Sequence, residues 1–161
     1  MNQDDLEERT RGEFGAHVYR SLADLPSSQR FSGEQLEVIY GMAYAHVVQK
    51  QYRQALPIFS FLAQYGPTRK HYWAGMALCL NMIGRHEEAE SIYGLNDLLF
   101  PASPDSALHM AECQIAAGKL AQAHETLTAV LRRAQSDASH DSLCQRARAL
   151  MKLTGSMAAA A

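Results

Sequence analysis

Ala55, Ala89 and Ala123 stand at intervals of thirty-four residues, and no other feature of the chain constrains its fold as tightly. A fixed period of this size marks a protein built by stacking copies of one supersecondary unit. Other positions keep the same register. Four residues after each alanine comes a large apolar side chain: Phe59, Tyr93 and Leu127. Twelve after the first two come Pro67 and Pro101, and five before the last two come Gly84 and Gly118. A glycine tolerates the left-handed conformation that stops a helix, so each of these two marks a turn between two helices. Each alanine then opens the second helix of its unit, where two helices cross so closely that only a small side chain fits.

Two helices joined by a turn, repeating every thirty-four residues, are the pattern of the tetratricopeptide repeat. Trp73, sixteen residues before Ala89, stands where that repeat expects its tryptophan. The register predicts an all-α fold of three tandem repeats, at 36–69, 70–103 and 104–137, within a repeat region 34–137. First helices fall near 34–48, 70–83 and 104–117, and second helices near 53–65, 86–98 and 120–134. Where the other repeats have glycine the first has Lys50, so its turn is less well marked. Residues 1–33 form an N-terminal segment. Its first twelve residues are polar and read as frayed, and a flanking helix follows on Phe14, Val18, Leu22 and Leu25, weakened at its start by Gly12 and Gly15. Ser32 is placed to cap the next helix. Residues 138–161 supply a C-terminal capping helix near 139–153, with a stripe of Leu143, Ala147, Leu150 and Met151, and then a flexible tail from Gly155 to Ala161.

The bulk composition fits a repeat array that holds another protein. An apolar content of 47% over 161 residues is enough for a core, and a net charge of −2 gives no electrostatic footprint for nucleic acid. No stretch approaches the roughly 20 apolar residues of a membrane helix, so no direct membrane insertion is expected. The acidic start (Asp4, Asp5, Glu7, Glu8) is unlike a secretory signal. Cys79, Cys113 and Cys144 are odd in number and far apart, as suits reduced thiols in a cytosolic protein. Cys79 and Cys113 occupy the same position of successive repeats, whose spacing of about 10 Å exceeds disulfide reach.

Catalytic and metal motifs fail on their own terms. His86-Glu87-Glu88-Ala89-Glu90 begins like a zinc-protease helix but has Glu90 where the second imidazole belongs. His140-Asp141-Ser142 has triad residue types adjacent in sequence, whereas a triad needs them adjacent in space. There is no phosphate-binding glycine loop and no CxxC pair. The chain is read as a non-enzyme with no catalytic residues, no cofactor and no metal.

What remains is the inner, concave face of the array, lined by the first helices. Repeat one gives it Glu37, Tyr40, Tyr44, Val47 and Val48; repeat two gives His71, Ala74, Leu78, Asn81 and Met82; repeat three gives Asp105, Leu108, Glu112, Ile115 and Ala116. An array that grips a C-terminal carboxylate needs converging cations and asparagines, and the central positions carry no cation. A mainly apolar lining with aromatics suits an extended segment that places prolines and leucines into pockets. The peptide-binding residues are taken as Tyr40, Tyr44, Val47, Phe59, Ala74, Leu78, Met82, Leu108 and Glu112. Tyr40 and Tyr44, one helical turn apart, are expected to flank a single bound residue.

Three segments carry a resemblance to a known family. They are Gln35-Leu36-Glu37-Val38-Ile39-Tyr40 with Ala43-Tyr44 and Gln51-Tyr52; Tyr72-Trp73-Ala74-Gly75-Met76-Ala77-Leu78-Cys79; and His109-Met110-Ala111-Glu112-Cys113 leading to Gly118. In these the chain resembles the class II chaperones of bacterial type III secretion, which hold pore-forming translocators. The resemblance spans about 31–137. It implies a cytoplasmic bacterial protein that binds an extended segment of a secreted translocator in its concave groove and keeps the translocator soluble until secretion. It also implies that Tyr40 and Tyr44 match groove aromatics, and that the N-terminal region provides homodimer contacts. The chain departs from the family at Val47, where members often carry a further aromatic, and in its less leucine-rich stretch from Phe14 to Leu25. A second reading makes the chain a scaffold or regulatory adaptor, joining secretion-apparatus or transcription-regulator proteins through its convex face.

Overall fold

The computed structural model describes residues 3–134 and 137–160. The described residues form eight α-helices: α1 (Gln3–Ala23), α2 (Gly33–Val48), α3 (Tyr52–Tyr65), α4 (Lys70–Met82), α5 (His86–Leu99), α6 (Asp105–Ala116), α7 (Leu120–Ala134) and α8 (Asp141–Ala160). Short 3-10 turns lie at Pro26–Gln29 and Ala138–His140. Helices α2 to α8 each pack on the next, giving a solenoid of three helix pairs in which α8 lies over α7 and part of α6. The fold is therefore three tandem tetratricopeptide repeats with a flanking helix at each end.

The crossings form where the alanines fall. Ala55, Ala89 and Ala123 are fully buried, and so are the large residues one turn on, Phe59, Tyr93 and Leu127. A leucine at such a crossing has no space, so Ala89→Leu is expected to cost about 1–3 kcal/mol by overpacking. Thermal and urea melts of the two proteins measure this directly.

The turns within the pairs are equivalent at the level of the backbone. Gly84 and Gly118 take φ of 85° and 77°, and Lys50, at the same place in the first repeat, takes φ of 58°. The repeat geometry thus imposes a left-handed residue even where the sequence supplies a lysine, at a cost of roughly 1–2 kcal/mol. Lys50→Gly is expected to raise stability by up to about 1 kcal/mol, since the gain is partly offset by the greater freedom of glycine in the unfolded chain. A higher midpoint in urea is the readout.

Helix α2 starts at a capping box: the Gln35 backbone N–H donates to Ser32 Oγ at 3.2 Å, and the Ser32 N–H donates to Gln35 Oε1 at 2.9 Å. Trp73 is partly buried rather than enclosed, with its indole N–H donating to the Pro67 carbonyl at 2.8 Å. Cys79, Cys113 and Cys144 are free and buried. Burial pushes the Cys79 thiol up to about 11, and burial together with the nearby Glu112 and Glu90 carboxylates pushes Cys113 up to about 12. Both thiols therefore stay protonated at neutral pH.

The two ends differ from the expected helix limits. Helix α1 begins at Gln3 and runs through Gly12 and Gly15 without a break. It docks on α5, and Gly15 is what allows the approach: a Cβ there would lie 2.2 Å from the Leu98 carbonyl oxygen. Tyr19 meets Phe100 edge-on at 5.9 Å, and Arg11 pairs with the buried Asp97 of α5. At the other end, where the sequence suggested a flexible tail from Gly155 to Ala161, α8 continues through Gly155 to Ala160, and Ala161 lies outside the described residues. Its Cys144, Ala147 and Thr154 are buried.

Candidate functional site: the concave groove

The first helices present their inner faces to one groove, with a cavity of about 310 Å³ lined from α2, α3, α4, α5 and α6. Tyr40, Tyr44 and Val47 of α2 make one wall. Ala74, Gly75 and Leu78 of α4 face them, Phe59 of α3 closes the floor, and Tyr93, Asp105, Ser106 and His109 extend it toward the third repeat. Gly75 shapes that floor, because a Cβ at this position would come within 2.1 Å of the Phe59 ring.

Six of the nine residues assigned to peptide binding from the sequence meet in this cavity: Tyr40, Tyr44, Val47, Phe59, Ala74 and Leu78. Three do not line it. Met82 is 51% exposed on the last turn of α4, beyond the cavity. Leu108 is a core residue, 3% exposed, clustered with Leu127, Val130 and Ala147. Glu112 is held by its own neighbours, accepting from His109 Nδ1 at 3.0 Å and from Arg146 of α8 at 2.5 Å. The reason is α8, which supplies both Ala147 and Arg146 and so engages the residues that would have continued the groove. Burial raises the Glu112 carboxyl, but the bonds and charges of His109 and Arg146 outweigh it, and the net shift is downward.

The aromatic wall is continuous. The Tyr40 ring lies 6.2 Å from Tyr44, 6.0 Å from Phe59, 4.8 Å from His71 and 5.8 Å from Tyr72. Separations in this range mean that the rings already touch one another. Tyr40 and Tyr44 therefore form a single surface, with no slot between them for a bound residue. Tyr44 is 56% exposed, while Tyr40 is partly buried against the first core cluster. Burial, with the charge of Glu37 and then Tyr44, raises the Tyr40 hydroxyl, so it remains a neutral donor.

Beside this wall sits a polar cluster. Glu37 accepts from Tyr72 Oη at 2.7 Å, His71 Nε2 at 3.2 Å and Arg69 Nη1 at 3.2 Å. The Tyr72 bond is the main cause that lowers the Glu37 carboxyl, helped by His71 and Arg69 against a smaller opposing effect of burial. A carboxylate lowered on folding adds stability above its ordinary value of 4.5, and that stability is lost as the pH falls through the lower folded value. Glu37→Gln is therefore expected to melt less steeply with acid than the parent between about pH 5 and about pH 3. Melting temperatures across that range test this.

Sequence reasoning missed Gly75, Tyr93, Ser106 and His109 as lining residues. Tyr93 carries the signature of a core residue and is 3% exposed, yet its ring stacks on His109 at 5.3 Å beneath the groove. Ser106 is buried and accepts from Asn96 Nδ2 at 3.0 Å. No spacing rule distinguishes a floor residue of this kind from the core beneath it.

A solenoid of three helix pairs with an aromatic-walled inner groove belongs to the class of tetratricopeptide folds, and the family model described as tetratricopeptide repeat matches residues 98–150. Known proteins narrow the likeness. Low calcium response locus protein H of Yersinia pestis is 25% identical over 96 residues, covering 60% of this chain. The matched region spans 57% of that relative's length. Among solved structures, PcrH in complex with the chaperone binding region of PopD superposes with a TM-score of 0.74 at 23% identity, over 80% of this chain and 96% of that one. SycD, a type III secretion chaperone of Yersinia enterocolitica, in complex with a peptide of the translocator YopD, gives 0.73 at 20% identity, over 79% and 97%. At these identities the superpositions define the fold. Among the described residues no helix is long and apolar enough to cross a membrane.

Proposed function

We propose that this protein is a cytoplasmic chaperone of bacterial type III secretion that holds an extended segment of a pore-forming translocator in its concave groove and keeps it soluble. The observation that carries the reading is the continuous aromatic wall of Tyr40, Tyr44 and Phe59 opposite Ala74 and Leu78. It lies on the inner face of a fold that is found in PcrH with the chaperone binding region of PopD and in SycD with a peptide of the translocator YopD. An apolar groove walled by aromatics suits spaced prolines and leucines. Their burial supplies affinity without chemistry, the best-enclosed anchors contributing most. Tyr40, Tyr44, Val47, Phe59, Ala74 and Leu78 are the proposed contacts, and the bound segment runs across the first two repeats toward Ser106 and His109.

Co-expression tests this reading. A translocator that is insoluble alone should appear in the soluble fraction, bound to this chain, when the two are produced together. If the translocator is equally soluble without it, the chaperone reading fails.

The adaptor reading has one observation in its favour, a second cavity of about 340 Å³ lined by Leu56, Met76, Leu80 and Ile92 together with the Arg85–Glu88 ion pair. A partner that binds while already soluble, and is lost with Ile92→Glu but not with Tyr44→Ala, would favour the adaptor.

A further inference from the structure

The groove has two unlike ends. Over the first two repeats its lining is mainly apolar, from Tyr40, Tyr44 and Val47 to Phe59, Ala74 and Leu78. At the third repeat α6 supplies Asp105, Ser106 and His109 instead. Asp105 is the one Asp, Glu, Lys or Arg among the residues that line this cavity. It precedes His109 by one helical turn, so the two share a face of α6.

The spare hydrogen-bonding capacity at this end is almost all acceptor. The Asp105 side chain is 46% exposed. Its Oδ1 accepts from Lys70 Nζ at 2.6 Å, and its Oδ2 has no hydrogen bond or ion pair among the described residues. Glu112 pairs with Arg146, and its lowered carboxyl is ionised at neutral pH. An ionised carboxylate only accepts, so the hydrogen in its 3.0 Å contact with His109 sits on the imidazole Nδ1. The neutral ring then presents Nε2 as a lone pair, which has no partner among the described residues. Tyr93 stacks on that ring at 5.3 Å. One layer down lies the fully buried Asn96. Its Nδ2 donates to Ser106 Oγ at 3.0 Å, and its Oδ1 is left without a partner among the described residues. Ser106 has a hydroxyl hydrogen to give; the other groups need donors.

Covering a carboxylate strips its water, and the cost is large unless the covering group returns donors. Proline and leucine side chains return none. A main-chain N–H returns a single one without charge. An ammonium or guanidinium returns several and brings the opposite charge. Taking the groove as the site of the proposed function, we infer that the bound segment carries a basic side chain, lysine or arginine, beyond its apolar anchors. Its charged head is held by Asp105 and His109, and its methylene stem lies along the apolar lining. An acidic side chain in that place is repelled by Asp105.

Overlapping fluorescein-labelled peptides that tile the N-terminal region of a candidate translocator, titrated by anisotropy against the full chain, test this. The tightest-binding peptide should contain a lysine or arginine whose replacement by norleucine, which keeps an aliphatic stem and drops the charge, weakens binding by about fivefold. Glutamate at the same place should weaken it further. Asp105→Asn should weaken the unsubstituted peptide by a similar factor and leave the norleucine peptide unchanged, while Asp105→Glu should bind like the parent. The difference between the two peptides should shrink at about 0.5 M salt. If Asp105 acts only on the fold, through Lys70 and the start of α6, Asp105→Asn weakens both peptides alike, which would overturn the inference. A tight-binding peptide with no basic residue would overturn it too, as would a norleucine peptide held as tightly as the unsubstituted one. In those three cases the segment is still bound and the proposed function stands. If no peptide binds, or if Tyr44→Ala binds undiminished, the groove is not the cargo site and both readings fall. Should Asp105→Asn fail to fold by circular dichroism, the two peptides compared on the parent chain at low and high salt decide alone.

Discussion

Removing both Arg11 and Arg133 is expected to cost about 3–5 kcal/mol of folding stability, because it strands a buried carboxylate without a cation. Asp97 has a side chain only 1% exposed. It accepts from Arg11 Nη2 at 2.7 Å and from Arg133 Nη1 at 3.0 Å on each of its oxygens. Arg133 also donates to the Pro101 carbonyl at 2.7 Å. The three residues belong to α1, α5 and α7, so this carboxylate is where the N-terminal helix and the last repeat are tied to the middle one. An exposed pair such as Arg9–Glu13 contributes about 1 kcal/mol or less and offers the contrast. Arg11→Ala alone should cost less than the double substitution, since Arg11 is half exposed and Arg133 remains. Adding Asp97→Leu to the double variant removes the stranded charge and should recover part of the loss. Urea denaturation followed by circular dichroism measures all three. A double variant within about 1 kcal/mol of the parent would show that water reaches the carboxylate and that the tie is weak.

That tie also marks where sequence reading reaches its limit. The period was legible because each alanine crossing is local: the small residue, the large residue one turn on and the turn glycine lie within ten positions of one another. Arg11 and Asp97 are eighty-six positions apart, and nothing near either announces the other. Gly12 and Gly15 read as weak points in a helix by intrinsic propensity. The fold uses Gly15 for close approach to α5 instead, a reason visible only once α5 is in place. The inner face shows the same division. Positions set by the repeat put Tyr40, Tyr44, Ala74 and Leu78 on one face, and all four line the same cavity. The same positions put Leu108 and Glu112 there too, because the repeat rule describes an open array. In this chain α8 supplies Ala147 to the core around Leu108 and Arg146 to Glu112. Where an array ends, the capping helix decides which face stays open, and that depends on tertiary packing rather than on period.

On the proposed function, Tyr44→Ala is expected to weaken translocator binding by about thirtyfold, the equivalent of roughly 2 kcal/mol for an aromatic anchor desolvated on binding. The two tyrosines are not equivalent tests. Tyr40 packs on Phe59, Tyr72 and His71, so its truncation to alanine removes core contacts as well as groove surface. Tyr44 is 56% exposed, and its one aromatic partner among the described residues is Tyr40, so its loss should leave the fold nearly unchanged. Tyr40→Phe keeps the ring and removes only the hydroxyl, which should cost about 1 kcal/mol if the bound segment accepts a hydrogen bond there, and nothing if it does not. Tyr40→Ala with Tyr44→Ala should lower affinity further, with a drop in melting temperature that Tyr44→Ala alone does not show. Arg53, exposed at the start of α3 and outside the groove lining, serves as the control, and Arg53→Ala should bind like the parent. The measurement is fluorescence titration of a labelled peptide from the N-terminal region of a candidate translocator, with circular dichroism on each variant. Parent-like affinity in a folded Tyr44→Ala protein would remove the aromatic wall from the binding site. The next surface to test would then be the cavity around Leu56, Met76 and Ile92, with the same titration on Ile92→Glu.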